Sequence, residues 1–109
     1  MPRDVFHAIA DPTRRRLLDM LVDGEKSAGA LAKPFSVSLP AVSQHLRVLK
    51  QGGLVTERRV GRERCYRLNP WPLREVADWA RHFELFWSSR LERLGQHLEQ
   101  KRPTATKRR

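Results

Sequence analysis

The chain predicts a mainly α fold carrying a two-stranded β hairpin, on three observations. Four stretches before Gly52 place apolar residues on one helical face and are separated by short polar breaks. Two short runs then alternate around Gly61 and Arg62, as the strands of a hairpin do. A last apolar line runs from Leu73 to Leu98 at helical spacing. With 109 residues, this reads as one domain over 1–100 and a tail over 101–109 whose sequence, KRPTATKRR, is too basic and polar to fold.

Asp4 to Ala10 makes a short first helix with Val5, Phe6 and Ile9 on one side. Asp11 caps the second, which starts at Pro12, buries Leu17, Leu18, Leu21 and Val22, and stops at Gly24. Its Arg14, Arg15 and Arg16 read as surface residues, with phosphate contact the less favoured alternative. Ser27 opens a third helix of small residues that Pro34 ends. Ser38 then caps a fourth, which reaches Gln51 before Gly52 and Gly53 close it. Two short helices across so brief a turn make a helix-turn-helix, and the small residues of the first let the second cross it closely.

The fourth helix has two faces. At about 100° per residue, Val42, Leu46 and Leu49 share a narrow sector that must be buried, while Pro40, Gln44, Arg47 and Gln51 lie nearly opposite. Gln and Arg are the side chains that pair bidentately with adenine and guanine edges in the major groove. The amides freed at its start, by Ser38, can also take a phosphate. The plainer reading of such a stripe is a solvated face, and the flanking sequence decides against it.

The net charge is +10, and its placement matters more than its size. Half of the excess lies in the tail. Residues 38–67 hold seven Lys or Arg against two acids, whereas residues 1–37 are +1 and residues 68–100 are −1. The folded part is therefore nearly neutral except across the fourth helix and the hairpin, as a nucleic-acid footprint should be. The hairpin pairs 54–60 with 63–68, and Arg58, Arg59, Arg62 and Arg64 crowd its tip. Beside a recognition helix, such a hairpin is a wing whose arginines enter a minor groove or clamp the backbone, which makes the fold a winged helix-turn-helix.

The segments ADPTRRRLLDML and LPAVSQHLRVLKQGGLVTERRVGRERCYRLNP resemble the ArsR/SmtB repressors, especially members without the metal-sensing cysteines. The resemblance covers about residues 5–98. It implies a dimeric repressor that binds an inverted-repeat operator near its own promoter and lets go when a signal binds. It also implies that Pro40, Ala41, Ser43, Gln44, His45 and Arg47 approach the major groove, and Arg62 and Arg64 the minor groove or phosphates. Leu39 departs from the family pattern, in which many relatives carry Gln, and favours a thymine methyl instead.

Pro70 and Pro72 launch a long last helix expected to reach about Gln100. At about 1.5 Å per residue it spans on the order of 40 Å, more than the domain before it can cover. A two-fold homodimer follows, in which Val5, Phe6 and Ile9 join Val76, Trp79, Ala80, Phe83, Phe86, Trp87, Leu91, Leu94 and Leu98. Pairing sets the recognition helices about 34 Å apart, one turn of DNA.

Chemistry beyond binding is thin. No Ser/His/Asp set, phosphate loop or paired acid can be argued from the spacings, so an enzyme is not expected. No cofactor or metal is expected either. The segment AGALAKPF holds no Cys or His, and Asp78, His82, His97 and Glu99 lack the spacing of the metal-sensing relatives' set. The alternatives left open are metal sensing through His82 and His97 across a dimer, redox sensing at the lone Cys65, and sequence-blind architectural binding to DNA. No apolar run approaches the roughly 18 residues of a membrane span, the start MPRDVFHAIA is not a signal peptide, and a cytoplasmic location without membrane partners is expected. Whether an effector exists, and what it is, the residues leave open.

Overall fold

The computed structural model describes residues 4–90, which fall into two compact units divided after Val76. In order, the elements are α1 (Val5–Ala8), α2 (Pro12–Leu21), β1 (Lys26–Ser27), α3 (Ala28–Ala32), α4 (Leu39–Gln51), β2 (Val55–Val60), β3 (Glu63–Leu68) and α5 (Leu73–Arg81).

Each of the first four helices begins at a side chain that accepts from the backbone it frees. Asp4 accepts from the His7 N–H at 3.0 Å, and Asp11 from Thr13 and Arg14 at 2.8 and 3.2 Å. Ser27 accepts from Ala30 at 3.1 Å and Ser38 from Ala41 at 3.3 Å. Such caps are worth about 1 kcal/mol each, enough to fix where short helices start. Between them the apolar faces converge on one core, in which Leu17, Leu21, Leu31, Val42, Leu46, Leu49 and Leu54 are fully enclosed.

The C-terminus of α4 is locked by its two glycines in different ways. Gly53 sits at φ +79°, the left-handed conformation that costs other residues strain. The Gly53 N–H donates to the Lys50 carbonyl and the Leu54 N–H to that of Leu49, both at 3.0 Å. This is a Schellman motif, completed by the buried pair Leu49 and Leu54. Gly52 has ordinary backbone angles but no room: a Cβ there would lie 2.8 Å from the Ala8 Cβ of α1. Gly52→Ala should therefore destabilise the protein by about 1–3 kcal/mol through overpacking. A urea titration reads this as a lower midpoint, and an unchanged midpoint would mean that α1 yields freely.

The sheet has three strands where the sequence predicts two. β1 pairs antiparallel with β3, Lys26 facing Tyr66 and Ser27 facing Cys65, to give the order β1-β3-β2. Two residues carry too little periodicity to be seen in sequence, and their partner lies some forty positions on (about 40 by chain separation). β2 and β3 are joined through Gly61 and Arg62, with Val60 opposite Glu63. A positive φ at Gly61 alone marks a type II′ turn, whose twist suits a hairpin. Asn69 ties the hairpin's far end to the helix cap, its backbone N–H donating to the Leu54 carbonyl at 2.7 Å and its side chain to that of Gly53 at 2.8 Å.

The first turn of α5 belongs to the first unit, where Leu73 and Val76 pack against the core. In the second unit the long helix expected from the sequence is interrupted at His82 and Phe83. There the N–H groups of His82 and Phe83 reach back three residues, to Trp79 and Ala80, instead of four. The His82 ring also lies 3.1 Å from the Trp79 carbonyl, competing for an acceptor that the helix would otherwise use. Residues 84–90 are helical again. No residue from Ala77 to Arg90 is buried within this chain, and Trp79, Phe83, Phe86 and Trp87 are at least 48 % exposed. No helix among the described residues is long and apolar enough to cross a membrane.

Candidate nucleic-acid interface

The helix bearing the polar row is held from behind. Val42, Leu46 and Leu49 are each 0 % exposed, and this fixes which face α4 turns outward. That face presents Leu39, Pro40, Ser43, Gln44, Arg47, Lys50 and Gln51 to solvent, with Ala41 half-buried at its edge. Ser38 sits at its start with its oxygen engaged by the Ala41 N–H. Gln44 and Arg47 make no side-chain hydrogen bond or ion pair among the described residues, so their amide and guanidinium groups are available to a ligand.

His45 does not belong to that row. Its Nδ1 lies 3.2 Å from the Arg14 guanidinium, which can only donate, so Nδ1 accepts and the proton sits on Nε2, 4.0 Å from the Asp11 carboxylate. Arg14 also donates to the carbonyls of Ala8 and His7 at 2.8 and 3.1 Å, and Arg15 to that of Ile9 at 2.8 Å. Arg16 lies 4.6 Å above the Phe35 ring. All three arginines thus have structural partners: two satisfy the orphan carbonyls at the end of α1 and one stacks.

Burial raises the Asp11 carboxyl, but the N–H groups of Arg14 and Thr13, followed by the electrostatic pull of the neighbouring His45 and Arg14 side chains, outweigh it and hold the group below its ordinary 3.8. A depressed folded pKa stabilises above the unfolded value and is lost as pH falls through the folded one. Unfolding followed from neutral pH to below pH 4 (roughly the unfolded carboxyl range) should show an acid limb that Asp11→Asn, which still caps, makes shallower. Parallel limbs would exclude Asp11 as a contributor.

The wing arginines divide by strand alternation. Arg58 is not at the tip: it faces Cys65 in mid-strand and forms a bidentate pair with Glu25 at 2.7 and 2.9 Å. That hydrogen bonding is the main cause of the lowered Glu25 pKa. Arg59 lies directly opposite Arg64 on the other face, the face that carries Val55, Tyr66 and Leu68 into the core. Like charges set opposite one another are unfavourable unless an anion joins them. Arg62 is exposed in the turn, and neither it nor Arg59 has a side-chain partner among the described residues. Counting back from the two-residue turn would have assigned Arg59, rather than Arg58, to the face of Arg64. Lys50, absent from the expected contacts, also reaches this face.

Glu57 joins the two parts. It accepts from Lys50 of α4 at 3.0 Å with one carboxylate oxygen, and the other lies 3.4 Å from the Arg64 Nε. Tyr66, opposite Glu57, is 4 % exposed; burial first and the Glu57 charge second push its phenol upward, against the Arg64 hydrogen bond.

Not all of the residues expected to pair two copies lie at the surface of this chain. Val5 is 2 % exposed in the chain's own core and is not on that surface; Ile9 and Val76 are partly buried against the same core. Phe6 is exposed, as are Trp79, Phe83, Phe86 and Trp87, with Ala80 half-covered among them. Leu91, Leu94 and Leu98, with His97 and the tail, lie outside the described residues. Among the described residues no group of three or more His, Cys, Asp or Glu is placed to hold a metal ion. Cys65 is buried.

Comparison with known proteins agrees with this geometry. A helix-turn-helix domain model matches residues 9–58. The transcriptional repressor SdpR of Bacillus subtilis is 41 % identical over 80 residues, which cover 73 % of this chain and 89 % of that protein. The crystal structure of an ArsR family transcriptional regulator superposes with a TM-score of 0.68 at 33 % identity, over 77 % of this chain and 92 % of the other. The solution structure of a homodimeric winged helix-turn-helix DNA-binding domain from Mycobacterium bovis, a possible ArsR-family regulator, gives a TM-score of 0.57 at 35 % identity, over 85 % and 81 %.

Proposed function

This chain belongs to the ArsR family of winged helix-turn-helix transcriptional regulators, and from that membership we propose that it is a dimeric repressor of an inverted-repeat operator, its own promoter included. It is a DNA-binding regulator and not an enzyme. In this reading α4 enters the major groove with Pro40, Ala41, Ser43, Gln44 and Arg47 toward the bases, and the wing brings Arg62 and Arg64 to the minor groove or the flanking phosphates. Residues 1–100 serve as one DNA-binding and dimerisation domain, and the basic tail over 101–109 adds sequence-blind attraction.

The observation that carries the reading is that Gln44 and Arg47 have no side-chain partner among the described residues, on a helix whose opposite face is fully enclosed. Dimerisation is supported by the aromatic row Trp79, Phe83, Phe86 and Trp87, which this chain leaves open to solvent, and by the homodimeric M. bovis relative. Selection of bound sequences from a random duplex library tests the whole of it. The expected outcome is an inverted repeat with half-sites centred about 10 base pairs apart. Enrichment of no sequence would indicate an architectural binder, and enrichment of one asymmetric site would refute the two-fold arrangement.

A further inference from the structure

Building on the DNA-binding reading, we propose that Glu57 is a positioning residue that sets DNA affinity: an internal anion that holds Lys50 of α4 and Arg64 of the wing and so limits how strongly this face grips DNA of any sequence.

The position of the carboxylate is what suggests this. Glu57 bridges two cations from separate elements, at 3.0 Å to Lys50 Nζ and 3.4 Å to Arg64 Nε. Its side chain is 19 % exposed, whereas those of Lys50 and Arg64 are 55 % and 63 % exposed. The acid therefore lies beneath the cations, and an approaching phosphate meets Lys50 and Arg64 first. Glu57 is also set opposite the buried Tyr66 in the β2–β3 register, so it is held by the sheet rather than by the cations it binds. Arg59 and Arg64 face each other a step further along the same face, where they would otherwise form the strongest local field for a phosphate.

The chemistry is a competition. Phosphate and carboxylate offer the same kind of acceptor to an ammonium and a guanidinium, so each cation that turns to the backbone must leave Glu57 or share its charge with it. Phosphate contacts are blind to sequence, whereas base contacts by Gln44 and Arg47 are not. An acid that weakens the first and not the second lowers affinity for operator and random DNA alike and leaves the base-reading difference between them intact. Glu57 touches no base in this scheme; it acts by positioning Lys50 and Arg64.

The test compares Glu57→Gln with Glu63→Gln in the full-length protein. Both remove one negative charge from the wing, but Glu63 is exposed and has no side-chain partner among the described residues. Dissociation constants are measured for the selected operator and for a random duplex across a series of salt concentrations, with thermal melts confirming that both variants are folded. For Glu57→Gln the random duplex should bind on the order of 10-fold tighter. Its log–log salt slope should steepen by about 1 to 2 ions, because one or two cations become free to replace counterions. The operator, held by the same phosphate contacts, should gain by a similar factor, while Glu63→Gln moves both duplexes only slightly. Equal effects of the two substitutions, or an unchanged salt slope for Glu57→Gln, overturn the proposal. A wild-type protein that binds neither duplex at low salt overturns the DNA-binding reading itself, and the inference with it.

Discussion

Arg47→Ala is expected to weaken binding to the selected operator by about 1–3 kcal/mol, roughly 5- to 150-fold, with the loss concentrated at one base pair per half-site. The reason lies in what surrounds the side chain. Arg47 stands one helical turn from Gln44 on the outer face of α4, over a buried row that prevents the helix from rolling away. Its guanidinium has no partner among the described residues to lose, so the free state is not destabilised and the effect appears in the complex. Arg62→Ala is the informative contrast. From an exposed turn it contributes charge alone, and its removal should lower affinity evenly across sequences and reduce the salt slope by about 1. Titrations against the operator and single-base variants separate the two. An even loss for Arg47→Ala would take base reading away from this position.

Leu46→Ala is expected to cost about 2–5 kcal/mol of folding stability, a large part of the roughly 5–15 kcal/mol of a domain. Leu46 is fully enclosed at the middle of α4, the helix that contacts α1, α2, α3 and β2, so the void it leaves borders most of the first unit. Partly buried Val48, two residues along and nearer the surface, should cost markedly less when cut to Ala. Urea unfolding at a single protein concentration measures both, the fixed concentration being needed because association adds to apparent stability. Equal midpoints for the two variants would mean that the core relaxes around position 46.

The elements most legible in the sequence are those whose signals are local. Asp11 followed by Pro12, Ser38 two residues before Pro40, and the Gly52–Gly53 pair each satisfy a backbone need within a few positions, and the structure uses them for it. The burial of Val42, Leu46 and Leu49 follows from helical spacing alone. What stayed illegible depends on partners far along the chain. β1 exists because β3 offers it an edge. Arg58 is held by Glu25, 33 positions away, and Arg14 by the end of α1 and by His45, so their charges cannot be assigned by counting. The interruption at His82 is of another kind: helical periodicity runs through it, and only the ring's approach to the Trp79 carbonyl marks it. Val5 lies in the core and not on the expected pairing surface: an apolar residue on a short helix has two possible destinations, and four residues do not reveal which face is inward.

Leu54 closes the cap of α4 and, one residue before β2, also begins the hairpin, and Asn69 fastens the far strand to the carbonyl groups of Gly53 and Leu54. There is no spare chain between probe and clamp. The wing cannot fold aside while the helix stays seated, so α4 and the hairpin must approach or leave the double helix together.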